Sequence, residues 1–111
     1  MASREQLAQW ATGYWVSQML FVACRLELAD ALASGPKATS ELATRSGTQP
    51  EPLFRLLRGL ASLGVFVETA PQTFALTPLA EFLQADHPQT LRPLILMMGA
   101  TQYDAWGALE H

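Results

Sequence analysis

Apolar positions recur at spacings of three and four through Leu53, Leu56, Leu57, Leu60 and Leu63, which draws one stripe along a helix. Thr48-x-x-Glu51 precedes the stripe and predicts a capping box, each side chain satisfying the other residue's free backbone N–H. Pro50 and Pro52 fall in the first turn, where a missing N–H costs little. This helix is expected over Gln49 to Leu63, with Gly64 as its stop and Val65-Phe66-Val67 opening a β-rich run. Val65–Thr69 and Thr73–Thr77 alternate well enough for a hairpin around Ala70-Pro71-Gln72. A capped helix feeding a short hairpin is the second half of a winged helix. That motif either reads DNA or holds proteins together.

The first helix is expected from Glu5 to about Cys24. Leu7, Trp10, Ala11, Tyr14, Gln18 and Phe21 run down one side, while Trp15, Met19, Leu20 and Val22 make the other side apolar too. A helix hydrophobic nearly all round must be buried on several sides, and in so small a chain a second subunit is the expected cover. Leu26 to Ala33 predicts a second helix ended by Gly35-Pro36, and Thr39 or Ser40 can cap a third over Glu41 to Arg45 with Gly47 as its stop. Thr77-Pro78 reads as a cap with proline at the first helical position, starting Leu79 to Leu83. His87-Pro88 marks a break, Leu91 to Met98 a further apolar helix and Gly99 a joint. Tyr103, Trp106 and Leu109 share one helical face, and no capping glycine or proline follows before His111. The expected fold is mainly α: a winged helix-turn-helix with a two-stranded β-hairpin and additional N- and C-terminal helices.

Composition narrows what this fold can do. The 111 residues, half of them hydrophobic, suit one compact domain that buries roughly two-thirds of its unfolded surface. Seven basic against ten acidic residues leave a net charge of −3, which argues against long-range attachment to nucleic acid or an anionic membrane. The single Cys24 makes no internal disulfide, as expected of a cytoplasmic protein. The apolar stretch from Tyr14 to Cys24 is broken by Ser17 and Gln18 and falls short of the ~20 residues of a membrane span.

Catalytic chemistry finds little purchase. Phosphate-binding loops need clustered glycines, and the seven here (13, 35, 47, 59, 64, 99 and 107) lie at least five residues apart. Cys24 sits in an apolar run with no neighbouring base, His87 in a turn and Asp30 at a helix surface, so none is expected to act on a substrate. A metal site is not expected either. For DNA reading, Arg55 and Arg58 share a helical face, but the hairpin carries no basic residue and one acid, Glu68. A DNA reader usually offers a basic wing to phosphate, so the two arginines are expected to be ion-pair partners. A winged-helix transcriptional regulator is the runner-up.

The run Leu26-x-Leu28-Ala29-Asp30-Ala31-Leu32-Ala33-x-Gly35-Pro36-x-x-Thr39-x-Glu41-Leu42-Ala43 resembles the second and third helices of the small-molecule O-methyltransferases. These are the S-adenosylmethionine-dependent enzymes of plant phenylpropanoid and bacterial polyketide pathways. Leu53-x-Arg55-Leu56-Leu57-Arg58-x-Leu60-Ala61-Ser62-Leu63-Gly64-Val65-Phe66 is similar to the family's next helix. Leu76-Thr77-Pro78-Leu79-Ala80 matches the stretch after its wing, and Trp106-x-x-Leu109 the helix beyond. The resemblance implies a dimerisation domain over residues 1–90, with residues 91–111 leading toward a catalytic domain. It implies a homodimer through the first helix, and an acceptor pocket lined by Met98, Gln102, Tyr103 and Trp106 with Trp10 and Tyr14 supplied across the dimer. The acceptor would be a small aromatic or polyketide hydroxyl. The family's glycine-rich cofactor loop, ribose-binding acid and catalytic histidine belong to the following domain. S-adenosylmethionine is therefore expected there, in cis or in trans, and this chain alone is expected to be inactive. A fragment and a free-standing subunit of a split methyltransferase both fit.

Overall fold

The computed structural model describes residues 3–99. In chain order it holds α1 (Ser3–Arg25), α2 (Leu28–Ala31), β1 (Lys37–Ala38), α3 (Thr39–Ser46), α4 (Pro50–Ser62), β2 (Phe66–Ala70), β3 (Thr73–Leu76) and a 3₁₀ helix (Leu79–Leu83). A last helix, α5, runs over 92–99. The mainly helical winged-helix architecture is as expected, with one addition. The antiparallel sheet has three strands in the order β1-β3-β2, because Lys37 and Ala38 pair with Phe74 and Thr73.

Two residues are too few for an alternating pattern, so β1 has no signature of its own. Thr39 holds it in place. Expected as a cap, Thr39 instead follows the N-cap Ala38 and is almost fully buried. Its backbone N–H and its hydroxyl both donate to the Gln72 carbonyl, at 2.8 and 3.0 Å. The start of α3 is thereby tied to the tip of the wing, where Gln72 adopts φ 55°. Between Glu68 and Ala70 a bulge shifts the β2–β3 register. Glu68 braces this end, accepting from the Gln72 backbone N–H at 2.9 Å and lying 3.7 Å from Arg58 Nε.

Two further caps are also corrected. Gln49 is the N-cap of α4 and makes no side-chain cap bond. The Thr48 hydroxyl pairs with Ser46 Oγ at 2.8 Å, and Glu51 turns forward to Arg55 at 2.6 Å, so no capping box forms. With proline at both Pro50 and Pro52, the first turn has fewer N–H groups for a cap to satisfy. Thr77 likewise is not the cap of the 3₁₀ helix. Its hydroxyl lies 2.8 Å from both the Gly64 and Val65 carbonyls and closes the base of the wing. Gly64 takes φ +84°, as a helix-ending glycine should. The second helix is shorter than expected because Glu27 enters the left-handed region at φ 56° and breaks the backbone run that Leu26 would have begun. Asp30 Oδ1 accepts from the Ala85 backbone N–H at 3.1 Å and fastens α2 to the end of the 3₁₀ helix.

The core gathers Leu28, Leu32, Leu42, Leu57, Leu60, Phe66 and Phe74, each at most 2% exposed. The stripe on α4 faces it through Leu53, Leu57 and Leu60, while Leu63 emerges 43% exposed. Phe54 meets Phe74 edge-on at 6.0 Å between ring centres. Two glycines set how closely the outer helices approach: a Cβ at Gly59 would meet Met19 Sδ, and one at Gly99 would overlap the Phe21 ring. Cys24 is 2% exposed and packs in the core. Burial pushes its pKa up, against a smaller opposing pull from Arg92.

Phe74→Ala should cost about 3–5 kcal/mol in urea unfolding, because it empties the point where sheet and α4 meet. Gly99→Ala should destabilise, whereas Gly59→Ala should be close to neutral, since the thioether end of Met19 can swing aside and alanine favours the helix. Cys24 holds its proton more tightly folded than unfolded, so stability should be full below the ordinary thiol pKa of 9.0 and fall as pH rises through its elevated folded value. Cys24→Ala should remove that component of the alkaline slope.

Candidate dimerisation surface and acceptor-facing pocket

The first helix is 23 residues, about 35 Å at 1.5 Å per residue, and its two halves differ. From Val16 onward it beds onto the domain, with Met19, Leu20, Ala23 and Cys24 against the core. Residues 3–11 and 13–15 are all exposed. This arm carries Leu7, Trp10, Tyr14 and Trp15 at 64%, 67%, 39% and 69% exposure. Isolated exposed apolar side chains are ordinary, but a run of this kind marks an interaction surface. The division runs along the helix more than around it: Trp10 and Tyr14 from one expected side and Trp15 from the other are exposed on the arm, while Met19 and Leu20 pack inward.

The outward surface continues onto α5, where Leu94, Met97 and Met98 are 46%, 60% and 45% exposed, with Leu91 just ahead of the helix at 48%. Arg92 anchors this helix, its Nη2 donating to the Cys24 carbonyl at the end of α1 at 3.3 Å. A cation there is favourable against the negative end of the helix dipole. Between α1 and α5, Ser17, Leu20, Ile95, Met98 and Gly99 line a pocket of about 160 Å³. Beside it Val16, Leu20, Leu63, Val65, Leu79, Phe82, Leu83, Leu91 and Ile95 line an apolar cavity of about 280 Å³.

Of the residues expected to face an acceptor, Met98 lines the smaller pocket. Trp10 and Tyr14 lie on the exposed half of α1, and Tyr14 Oη accepts from Gln18 Nε2 at 3.2 Å. Gln102, Tyr103 and Trp106 fall outside the described residues. Ser17, Leu20 and Ile95 were missed as lining residues. Their signal was weak, since they read as ordinary helix positions until Gly99 brings α5 against α1.

The other candidates take structural roles. His87, half-buried, accepts the Gln89 backbone N–H on Nδ1 at 3.0 Å within its turn. Arg55 pairs with Glu51, and Arg58 lies by Glu68 and over the Phe54 ring at 5.5 Å, so both expected ion pairs are present. These pairs are largely exposed and contribute little stability. Among the described residues no group of three or more His, Cys, Asp or Glu could hold a metal ion, and no helix is long and apolar enough to cross a membrane.

Known proteins give this surface a context. Over 105 residues the chain is 47% identical to the phenazine O-methyltransferase PhzM of Lysobacter antibioticus, covering 95% of this chain and 31% of that protein. A crystal structure of LaPhzM matches with a TM-score of 0.89 at 44% identity, covering all of this chain and 33% of the other. Human N-acetylserotonin methyltransferase in complex with SAM matches with a TM-score of 0.84 at 28% identity, over 99% of this chain and 34% of the other. The chain thus spans about a third of the length of the relatives it matches. A family model for the O-methyltransferase dimerisation domain covers residues 8–86, and with the winged-helix fold and the exposed apolar arm already described, the chain belongs to that family.

Proposed function

We propose that this chain forms a homodimer through α1 and completes the acceptor pocket of an S-adenosylmethionine-dependent methyltransferase. Residues 91–111 would lead toward its catalytic domain in cis, or that domain would act in trans. The carrying observation is the apolar arm of α1, whose residues 3–11 and 13–15 its own domain leaves exposed. Trp10, Tyr14 and Trp15 of each arm, all exposed, would supply aromatic area to a reciprocal contact.

The acceptor would be a small flat aromatic or polyketide molecule, as the phenazine and N-acetylserotonin in the relatives' names support. The chemistry of the lining agrees: Met98 with Leu20 and Ile95 offers an apolar, adaptable wall. This wall binds and orients, and it excludes water. S-adenosylmethionine would supply the methyl group from the catalytic domain. The chain alone is proposed to be inactive and to act in the cytoplasm. The DNA-binding alternative is less well supported, because Arg55 and Arg58 already face carboxylates.

Sedimentation equilibrium of this chain should give twice the chain mass at micromolar concentration. Leu7→Asp combined with Trp15→Asp should yield a monomer with unchanged helical circular dichroism, and a folded wild-type monomer would overturn the proposal. In the chain joined to its catalytic domain, Met98→Ala should raise the acceptor KM several-fold and leave that for S-adenosylmethionine unchanged.

A further inference from the structure

Leu20 of α1 and Ile95 of α5 each line two hollows at once. On one side lies the pocket of about 160 Å³ with Ser17 and Met98, and on the other the apolar cavity of about 280 Å³. The larger hollow is concave: Val65 and Leu83 are buried at its floor, while Leu63, Leu79 and Leu91 stand exposed at its rim. Its lining holds no polar side chain among the described residues, and that of the smaller hollow holds one, Ser17. The smaller falls well short of the ~300 Å³ at which small-molecule sites begin, the larger just short, and the two together lie within the range of such sites.

We propose that the two hollows are compartments of one acceptor site, with Leu20 and Ile95 as the neck between them, and that its ligand is an elongated aromatic molecule with one polar end and one bare hydrocarbon end. This rests on the acceptor reading above and adds the shape and polarity of the molecule taken. The polar end lies beside Ser17 and Met98, where a hydroxyl finds a hydrogen-bonding side chain. The hydrocarbon end lies against Leu79, Phe82 and Leu91. From Leu91 to Met98 the chain advances about 10 Å along a helix, so two fused rings reach from one compartment into the other and a single ring does not. A charge or hydroxyl at the far end would lose its water and gain no side-chain partner, which disfavours such a ligand. Val16, half-buried in the cavity wall one turn before Leu20, sets how much ring the larger compartment admits.

Methyl NMR of this chain reads both compartments at once. Titrated 2-naphthol, two rings with one hydroxyl, should shift the methyl signals of Met98 and those of Leu79 and Leu91 with a single affinity. Phenol, one ring, should shift Met98, leave Leu79 and Leu91 in place and bind about tenfold more weakly. With a carboxylate on the far ring, 6-hydroxy-2-naphthoate should also lose about tenfold against 2-naphthol, since the charge enters an apolar wall. Val16→Phe, which fills the larger compartment, should cut the preference for 2-naphthol over phenol about fivefold. Shifts by 2-naphthol confined to Met98 would overturn the two-compartment site and leave the acceptor reading standing, as would a naphthoate that binds equally well. If the Leu79 and Leu91 methyls respond to protein concentration and not to 2-naphthol, a second copy fills the cavity and the proposal fails. No shift at Met98 with any of the three compounds would remove the proposal and the acceptor reading together.

Discussion

One helix has more apolar surface than its own domain can cover, and the rest of the molecule is arranged around that excess. The second half of α1 seals the core through Ala23 and Cys24 while its first half stands clear with Leu7, Trp10 and Trp15 in solvent. Exposing two indoles and a leucine on consecutive turns forgoes several kcal/mol of burial. A fold keeps such a surface when a second body covers it. On the reading proposed above, the winged-helix domain is the base from which α1 projects, and pairing takes place at the arm.

The rigidity of that base has particular sources. Thr39 clips α3 to the wing tip and Thr77 clips the wing base to the end of α4. Asp30 fastens α2 to the 3₁₀ helix, and Arg92 fastens α5 to the end of α1. Each is a side chain bonded to a backbone group far along the sequence, so the ties hold elements together more than they cap them. The last one bears on the proposed site, because it ties the helix that carries Met98 to the helix that carries the arm.

The fold was largely legible in the sequence, because its strongest determinants are local. The leucine period on α4, the αL glycine at Gly64 and the alternation of the wing each have one physical reading. The caps were misread because Thr39, Thr48 and Thr77 look identical in sequence to N-caps. Their hydroxyls go instead to carbonyls or to a neighbouring serine. The strand β1 was invisible because it forms only by docking on β3. In the candidate site, the need to cover α1 was plain from an apolar surface all round the helix. Which face points outward was not, since it depends on where α4 and α5 press against it through Gly59 and Gly99.

Hydrogen exchange of the α1 amides, followed from nanomolar to high micromolar protein, tests the central claim most directly. If the arm is covered by a second chain, peptides spanning residues 3–15 exchange as an exposed helix when dilute and become strongly protected as concentration rises. The core amides of α4 should stay protected throughout. Exchange at residues 3–15 that is independent of concentration, whether fast or slow, would contradict the account.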